Sequence, residues 1–307
     1  MPKQPKSEIR KDYFLNKYVI ITPHRAARPR DVLEQSVYKK GSACVFCPEK
    51  IEKKLLIKSF KTNSNQITVL KNKFSAVSLD NPKAYGKQEV IIETSDHGSD
   101  LAELSTEQIQ AMLTVYAERT ATLAKNKKLD YVLVFKNSGS RAGASLYHSH
   151  SQVFATKILP PEVLDELTAA RAYYAENNTC PYCEIISKEI KSPRRIYSDK
   201  HVCAIAPYAS QFHYEAWIMT KRHLDNITRL NEAELYSFAK ALKQILSKLH
   251  RLGLSYNFFL HQVISDTDQH FYLKIQPRDS IWAGVELGSG LIINSVSPEV
   301  AGKFYRS

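Results

Sequence analysis

No apolar run in this 307-residue chain approaches the roughly 20 residues needed to cross a bilayer. The opening segment, Met1 to Asp12, is polar and basic and lacks the apolar core of a secretory signal. A membrane-spanning or exported protein is set aside on these grounds, and the cytoplasm is the expected location. Blocks of like charge are missing too. The net charge of +12 would suit a nucleic-acid binder, but the lysines and arginines are scattered and never form a run of five or six. A solvated basic surface that also draws anionic substrates is the simpler reading, and nucleic acid is not an expected partner. Cysteine is scarce, with five in all, and without a secretory signal these are not expected to form disulfides. The apolar share of 43% is enough to build a core for one large or two ordinary domains.

What is present is a repeat. Glu89 to His97 and Glu215 to His223 align without a gap at an offset of 126. Eight residues after each histidine comes a helix-cap residue, Ser105 or Asn231, with Gln108 or Glu234 three positions on, so both copies carry a capping box. Apolar residues of helical period follow, Ile109, Met112, Leu113, Tyr116 and Leu123 in one copy and Leu235, Phe238, Leu242, Ile245, Leu246 and Leu249 in the other. A strand-like run, Tyr131 to Phe135 or Tyr256 to Leu260, closes each strand-helix-strand unit. The boundary is expected in a helical linker, Pro160 to Asn178, opened by a Pro-Pro pair. The fold class this implies is α+β, two tandem domains over 1–165 and 166–307, each a mainly antiparallel sheet with a packed helix.

Each copy opens with Cys-x-x-Cys and ends with a histidine. Such a turn supplies two thiolates to zinc from one tight loop and leaves the remaining ligands to histidines elsewhere. Cys44, Cys47, His97 and His148 make one Cys2His2 set, and Cys180, Cys183, His223 and His270 make the other. His261 competes with His270 for the last place, and the repeat geometry favours His270. A lone Cys-x-x-Cys is equally a redox pair or two buried thiols, but its recurrence at equivalent places points to metal. With four protein ligands and no vacancy for water, two structural Zn2+ ions are expected.

The segment Leu146 to Phe154 alternates in period two, so as a strand it places His148, His150 and Gln152 on one face. An edge strand with a solvated polar side would show the same alternation. The preceding loop, Asn137 to Ser145, carries two glycines, hydroxyls and Arg141, which suits a close-fitting phosphate cradle. A neutral imidazole attacks phosphorus without first losing a proton, and if His148 is tied to metal, His150 is the free nucleophile. Gln152 can donate an amide N–H to a phosphoryl oxygen. Arg25 and Arg28, three apart in a Pro-punctuated loop, suit a diphosphate clamp, though a solvated basic loop reads equally well.

Together these residues resemble the galactose-1-phosphate uridylyltransferase family, a two-repeat branch of the histidine-triad superfamily, from about Tyr13 to the C-terminal segment. The family's His-Pro-His-x-Gln motif is matched by His148-Ser149-His150-Ser151-Gln152, with serine in place of proline. The resemblance implies His150 as the residue that carries the nucleotidyl group, Gln152 as its phosphoryl hydrogen-bonder, and His148 as a zinc ligand. It strengthens Arg25 and Arg28 as phosphate-binding, places Asn137, Gly143 and Ser145 in the nucleotide and phosphate pocket, and puts Asn72 near the nucleoside-binding loop. Some members build a second metal site from a Glu and a His-x-His, and here that strand reads Leu273-Lys274-Ile275-Gln276, without the histidines. The chain instead resembles the branch with a second Cys-x-x-Cys, which includes the plant-type ADP-glucose phosphorylases, and Gly284 to Gly290 resembles that branch's C-terminal loop. The expected activity is transfer of UMP or AMP between a nucleoside diphosphate sugar and a sugar phosphate or phosphate, in a cytoplasmic homodimer. An ADP-glucose phosphorylase or a dinucleoside polyphosphate hydrolase or phosphorylase is the alternative enzyme, and a non-enzymatic nucleotide-binding module ranks below these.

Overall fold

The computed structural model describes residues 6–27, 44–62, 65–264, 266 and 268–307. The chain begins with an antiparallel pair, β1 (Glu8–Lys11) and β2 (Tyr18–Ile21). Ten strands then form one sheet. The first half of the chain supplies β3 (Leu56–Lys61), β4 (Gln66–Lys71), β5 (Gly86–Ile92), β6 (Tyr131–Ser138) and β7 (His150–Thr156). The second half supplies β8 (Arg195–Ser198), β9 (Val202–Ile205), β10 (Ala216–Thr220), β11 (Tyr256–His261) and β12 (Tyr272–Pro277). A last strand, β13 (Ile292–Asn294), pairs parallel with β2 and so joins the two ends of the chain in a separate three-stranded sheet.

The order β3-β4-β5-β7-β6-β11-β12-β10-β9-β8 turns the sequence repeat into a topological one. Read inward from either edge, each half runs first, second, third, fifth, fourth, and the halves meet where β6 pairs antiparallel with β11. Among the helices, α1 (Thr106–Ala124) and α4 (Glu232–Arg251) are the repeated pair, each opened by the capping box its sequence predicts. Both lie on one face of the sheet. Ile109, Met112 and Leu113 of α1 and Leu242, Ile245 and Leu249 of α4 share a core with Val132, Val134, Val153, Phe258, Leu260 and Leu273 of the strands.

The region 160–178 forms a helix, α2 (Pro161–Asn177), which buries Val163, Glu166, Leu167 and Ala170. Next come α3 (Pro181–Glu189), a single short helix α5 (Gly284–Ser289) where a loop resemblance was noted, and α6 (Pro298–Arg306). On the face opposite α1 and α4, the second half is covered by α3, whose Tyr182, Ile185 and Ile186 pack on Trp217, Met219 and Tyr272.

The ungapped alignment of the two copies slips by one residue inside the strand. His150 faces Ile92 across the ladder, whereas Tyr272, also two residues after a ligand histidine, faces Met219. A one-residue shift turns a side chain to the other face. Glu89 accordingly points toward α1 and is held by Arg119 through Nε at 2.7 Å and Nη2 at 2.9 Å. Glu215 instead accepts from Trp217 Nε1 at 2.9 Å on the opposite face.

Glu89 is fully buried and its Arg119 partner 3% exposed. Removing Arg119 leaves the buried carboxylate with Lys87 Nζ, 3.0 Å away, as its remaining ion-pair partner among the described residues, so Arg119→Met is expected to lower stability by about 3 kcal/mol in urea unfolding. A loss below about 1 kcal/mol, the range of an exposed pair, would show that this bridge does not anchor α1 to the sheet.

Candidate active site

The Cys44–Cys47 turn lies on the open face of the first half, and its loop packs Phe46 against Leu70, Val90 and Ile92. Cys44, Cys47, His97 and His148 place their ligand atoms within 4.8 Å of one another, as do Cys180, Cys183, His223 and His270. The individual separations are 3.8 Å from Cys44 Sγ to His148 Nδ1, 3.7 Å from Cys47 Sγ to His97 Nδ1, and 3.6 Å from Cys183 Sγ to His270 Nδ1. A tetrahedron with metal–ligand bonds of 2.0–2.3 Å has edges of about 3.6 Å, so both clusters fit a four-coordinate metal ion. The second histidine nitrogens support the same assignment. His148 Nε2 lies 2.8 Å from the Thr94 carbonyl and His270 Nε2 lies 2.8 Å from the Thr220 carbonyl. A carbonyl only accepts, so each Nε2 carries the proton and each Nδ1 turns a lone pair to the cluster. His261 is not in the second cluster. It stacks on Tyr272 and pairs with Glu166 at 3.1 Å.

One reading of the motif needs correction. The strand begins at His150, not at Leu146, because the ladder to β5 ends with the pair Ile92 and His150. His148 therefore sits in the approach to β7, held by Thr94 and facing the cysteines, and it does not share a strand face with His150. Gln152 does, and so do Phe135 and Asn137 of β6, since Phe135 lies opposite Gln152 and Asn137 two residues on is level with His150.

His150 is 7% exposed, with Phe46 meeting its ring edge-on at a centroid distance of 5.1 Å. Its Nδ1 is 2.9 Å from the His148 carbonyl, which again assigns the proton to Nδ1 and leaves the Nε2 lone pair without a partner among the described residues. Burial, with Lys136 nearby, lowers its pKa below the ordinary histidine value and favours the neutral, nucleophilic imidazole. Beneath the strand, on the helix side, Lys136 Nζ donates to Glu93 Oε2 at 2.7 Å, to Ser149 Oγ at 3.0 Å and to the His150 carbonyl at 3.1 Å. Ser149, which replaces the family's proline, donates to the same Glu93 oxygen at 2.6 Å. A proline could not close this buried network.

Around His150, Gln152 Oε1 accepts from Gln88 Nε2 at 2.9 Å and from Asn72 Nδ2 at 3.4 Å. Asn72 is thus brought to Gln152, and two residues beyond it Phe74 stands 86% exposed. Asn137 and Gly143 flank the turn Ser140–Ala142, with Gly139 and Gly143 at φ 82 and 83, which non-glycine residues rarely adopt. Ser145 lies exposed at the end of this loop. Arg25 is exposed in the turn Pro23–Ala27, making no ion pair among the described residues, and Arg28 lies outside them. Gln88, Asn257, Lys136 and Phe74 were not singled out in the sequence. Only the exposed aromatic beside Asn72 left a local signal.

The family model for the N-terminal domain of galactose-1-phosphate uridyl transferase matches residues 58–160. The chain is 30% identical over 328 residues to the ADP-glucose phosphorylase of Arabidopsis thaliana, covering 97% of this chain and 92% of that one. It is 27% identical over 326 residues to the galactose-1-phosphate uridylyltransferase of Thermotoga maritima, covering 97% and 98%. Among solved structures, an Arabidopsis thaliana ADP-glucose phosphorylase with bound ADP-glucose superposes with a TM-score of 0.86 at 29% identity, over 98% of this chain and 99% of that one. A uridylyltransferase superposes with a TM-score of 0.78 at 27% identity, over 98% and 97%. With the shared motif, both metal clusters and near-complete coverage in agreement, the chain belongs to the galactose-1-phosphate uridylyltransferase family of nucleotidyltransferases.

Proposed function

We propose that His150 carries a nucleotidyl group between a nucleoside diphosphate sugar and a second phosphate-bearing acceptor. The observation that supports this most directly is the imidazole itself, with Nδ1–H tied to the His148 carbonyl and Nε2 left as the attacking atom. In the first step Nε2 attacks the α-phosphorus, the bond to the β-phosphate side breaks, and sugar 1-phosphate leaves. In the second, an oxygen of a sugar phosphate or of inorganic phosphate attacks the same phosphorus and the P–N bond breaks, which restores the neutral imidazole. Gln152 Nε2 donates to a non-bridging oxygen in both steps. Asn137, Gly143 and Ser145 line the phosphate loop, Arg25 and Arg28 neutralise the diphosphate, and Asn72 borders the nucleoside.

UMP is the group transferred in the primary reading and AMP in the second. Phosphorolysis of ADP-glucose is favoured by the Arabidopsis relative's name and by the ADP-glucose bound in its structure. The two metal clusters are assigned two structural Zn2+ ions, since each supplies four protein ligands. The division into units at 165/166, a cytoplasmic location and a homodimer complete the reading. No helix among the described residues is long and apolar enough to cross a membrane.

Intact mass after incubation with UDP-glucose, UDP-galactose or ADP-glucose, quenched at alkaline pH to preserve a phosphoramidate, is expected to show a nucleotidyl adduct with one donor that is absent from His150→Ala. Folded, metal-loaded protein that forms no adduct with any of the three argues against this mechanism. Elemental analysis should find two zinc ions per chain, falling to one in Cys180→Ser, and chelation should lower the thermal midpoint by several degrees. A chain that holds no zinc and melts identically with and without chelator overturns the metal assignment.

A further inference from the structure

An Asn or Gln side chain offers either a donor or an acceptor, and its neighbours decide which one faces a ligand. Two such decisions in this site trace back to the backbone. The Ala76 N–H donates to Gln88 Oε1 at 3.2 Å, and because that group can only donate, the Gln88 amide nitrogen must face the other way. There it donates to Gln152 Oε1 at 2.9 Å, which leaves Gln152 Nε2 without a partner among the described residues. On the other side of His150 the sequence of events is inverted but ends alike. The Ala142 carbonyl can only accept, and it takes one N–H of Asn257 at 2.8 Å. The second N–H of Asn257 goes to Asn137 Oδ1 at 2.8 Å, which leaves the Asn137 amide nitrogen without a partner among the described residues. Gln152 and Asn137 share the sheet face of His150, on adjacent strands.

We propose that Gln88 and Asn257 are positioning residues that fix the polarity of the phosphate-binding face, so that the amides beside His150 present N–H donors and never carbonyl oxygens. This deepens, and rests on, the nucleotidyl-transfer reading. An amide oxygen turned toward an anionic phosphoryl group repels it, and turning it away before the substrate arrives removes a reorganisation step from the barrier. Asn257 lies on β11, so the repeat without a nucleophile sets one side of the site. Nearby Ser255 reinforces the contact, since a Cβ at Gly139 would lie 2.9 Å from Ser255 Cβ and push the phosphate loop off the second half.

The test contrasts inversion with deletion. A carboxylate only accepts, so Gln88→Glu draws the Gln152 nitrogen inward and its oxygen toward the phosphate, against the weaker Asn72 Nδ2 contact at 3.4 Å, while Gln88→Met leaves Gln152 held by that contact alone among the described residues. Single-turnover adduct formation with UDP-glucose and ADP-glucose is expected to be about tenfold or more slower in Gln88→Glu than in Gln88→Met, with zinc content and thermal midpoint unchanged in both. In a Gln152→Met background the Glu and Met variants should differ by less than about twofold, since nothing remains to invert. The same contrast, Asn257→Asp against Asn257→Leu, should appear as weaker equilibrium binding of the same donors by the carboxylate variant and should vanish in an Asn137→Ala background.

Apolar variants, Gln88→Met or Asn257→Leu, as impaired as the carboxylates, or a carboxylate penalty that persists in the deleted backgrounds, would mean ordinary packing or direct charge repulsion and would overturn the relay. Gln152→Met forming adduct at the unaltered rate would instead remove Gln152 from the reaction. A readout independent of any donor is the exchange of side-chain amide protons in the substrate-free protein. Those of Gln88 and Asn257 are expected to exchange slowly in 15N-resolved spectra and those of Gln152 and Asn137 quickly, and the opposite pattern refutes the relay.

Discussion

His148 is the point on which the site turns, because three hydrogen-bonding or ligating directions of one residue serve three different parts of the fold. Its Nδ1 faces the cysteines of an N-terminal loop, its Nε2–H is held by the carbonyl of Thr94 just beyond β5, and its own carbonyl receives the Nδ1 proton of His150. A shift of the Cys44–Cys47 turn therefore reaches His150 through a single residue. A metal ion held by this cluster would have no open coordination position, and its bearing on His150 would be to fix the His148 backbone that sets the tautomer and direction of that imidazole. The buried Lys136, Glu93 and Ser149 secure the same short stretch from the helix side.

The second half repeats the frame and discards the chemistry. Tyr272 stands where the first half has His150, and Lys274 where it has Gln152, each at the same distance from the ligand histidine. Tyr272 is 1% exposed, bonded to Glu166 of α2 and stacked on His261. With α3 covering this face, no phosphate could approach it. The Cys2His2 cluster is kept in both halves, where a metal ion would close a loop against the sheet.

Repetition made much of this legible in the sequence. The capping boxes at Ser105 and Asn231, the two ligand sets and the motif around His150 each rest on residues close together or recurring at a common offset, which a linear reading can detect. The approach of His148 misled, because alternation from Leu146 onward looks like a strand whose true start is set by pairing with Ile92. Gln88, Asn257 and Lys136 left no trace for a related reason. Their meaning comes from partners 64, 120 and 13 to 43 residues away, brought together by sheet register rather than by local pattern. The pairing of β2 with β13 is likewise a contact between chain ends that no periodicity announces.

The junction of β6 with β11 has a consequence for how the molecule is made. One edge of β6 pairs early with β7, but its other edge finds Tyr256 to Phe259 only after roughly 120 further residues have been added by the ribosome. Throughout that interval the growing polypeptide presents a bare hydrogen-bonding edge, the kind of template that invites association with another unfinished copy. Synthesis of the second half therefore serves as shelter for the first, and the protein's exposure to aggregation is greatest when it is half complete.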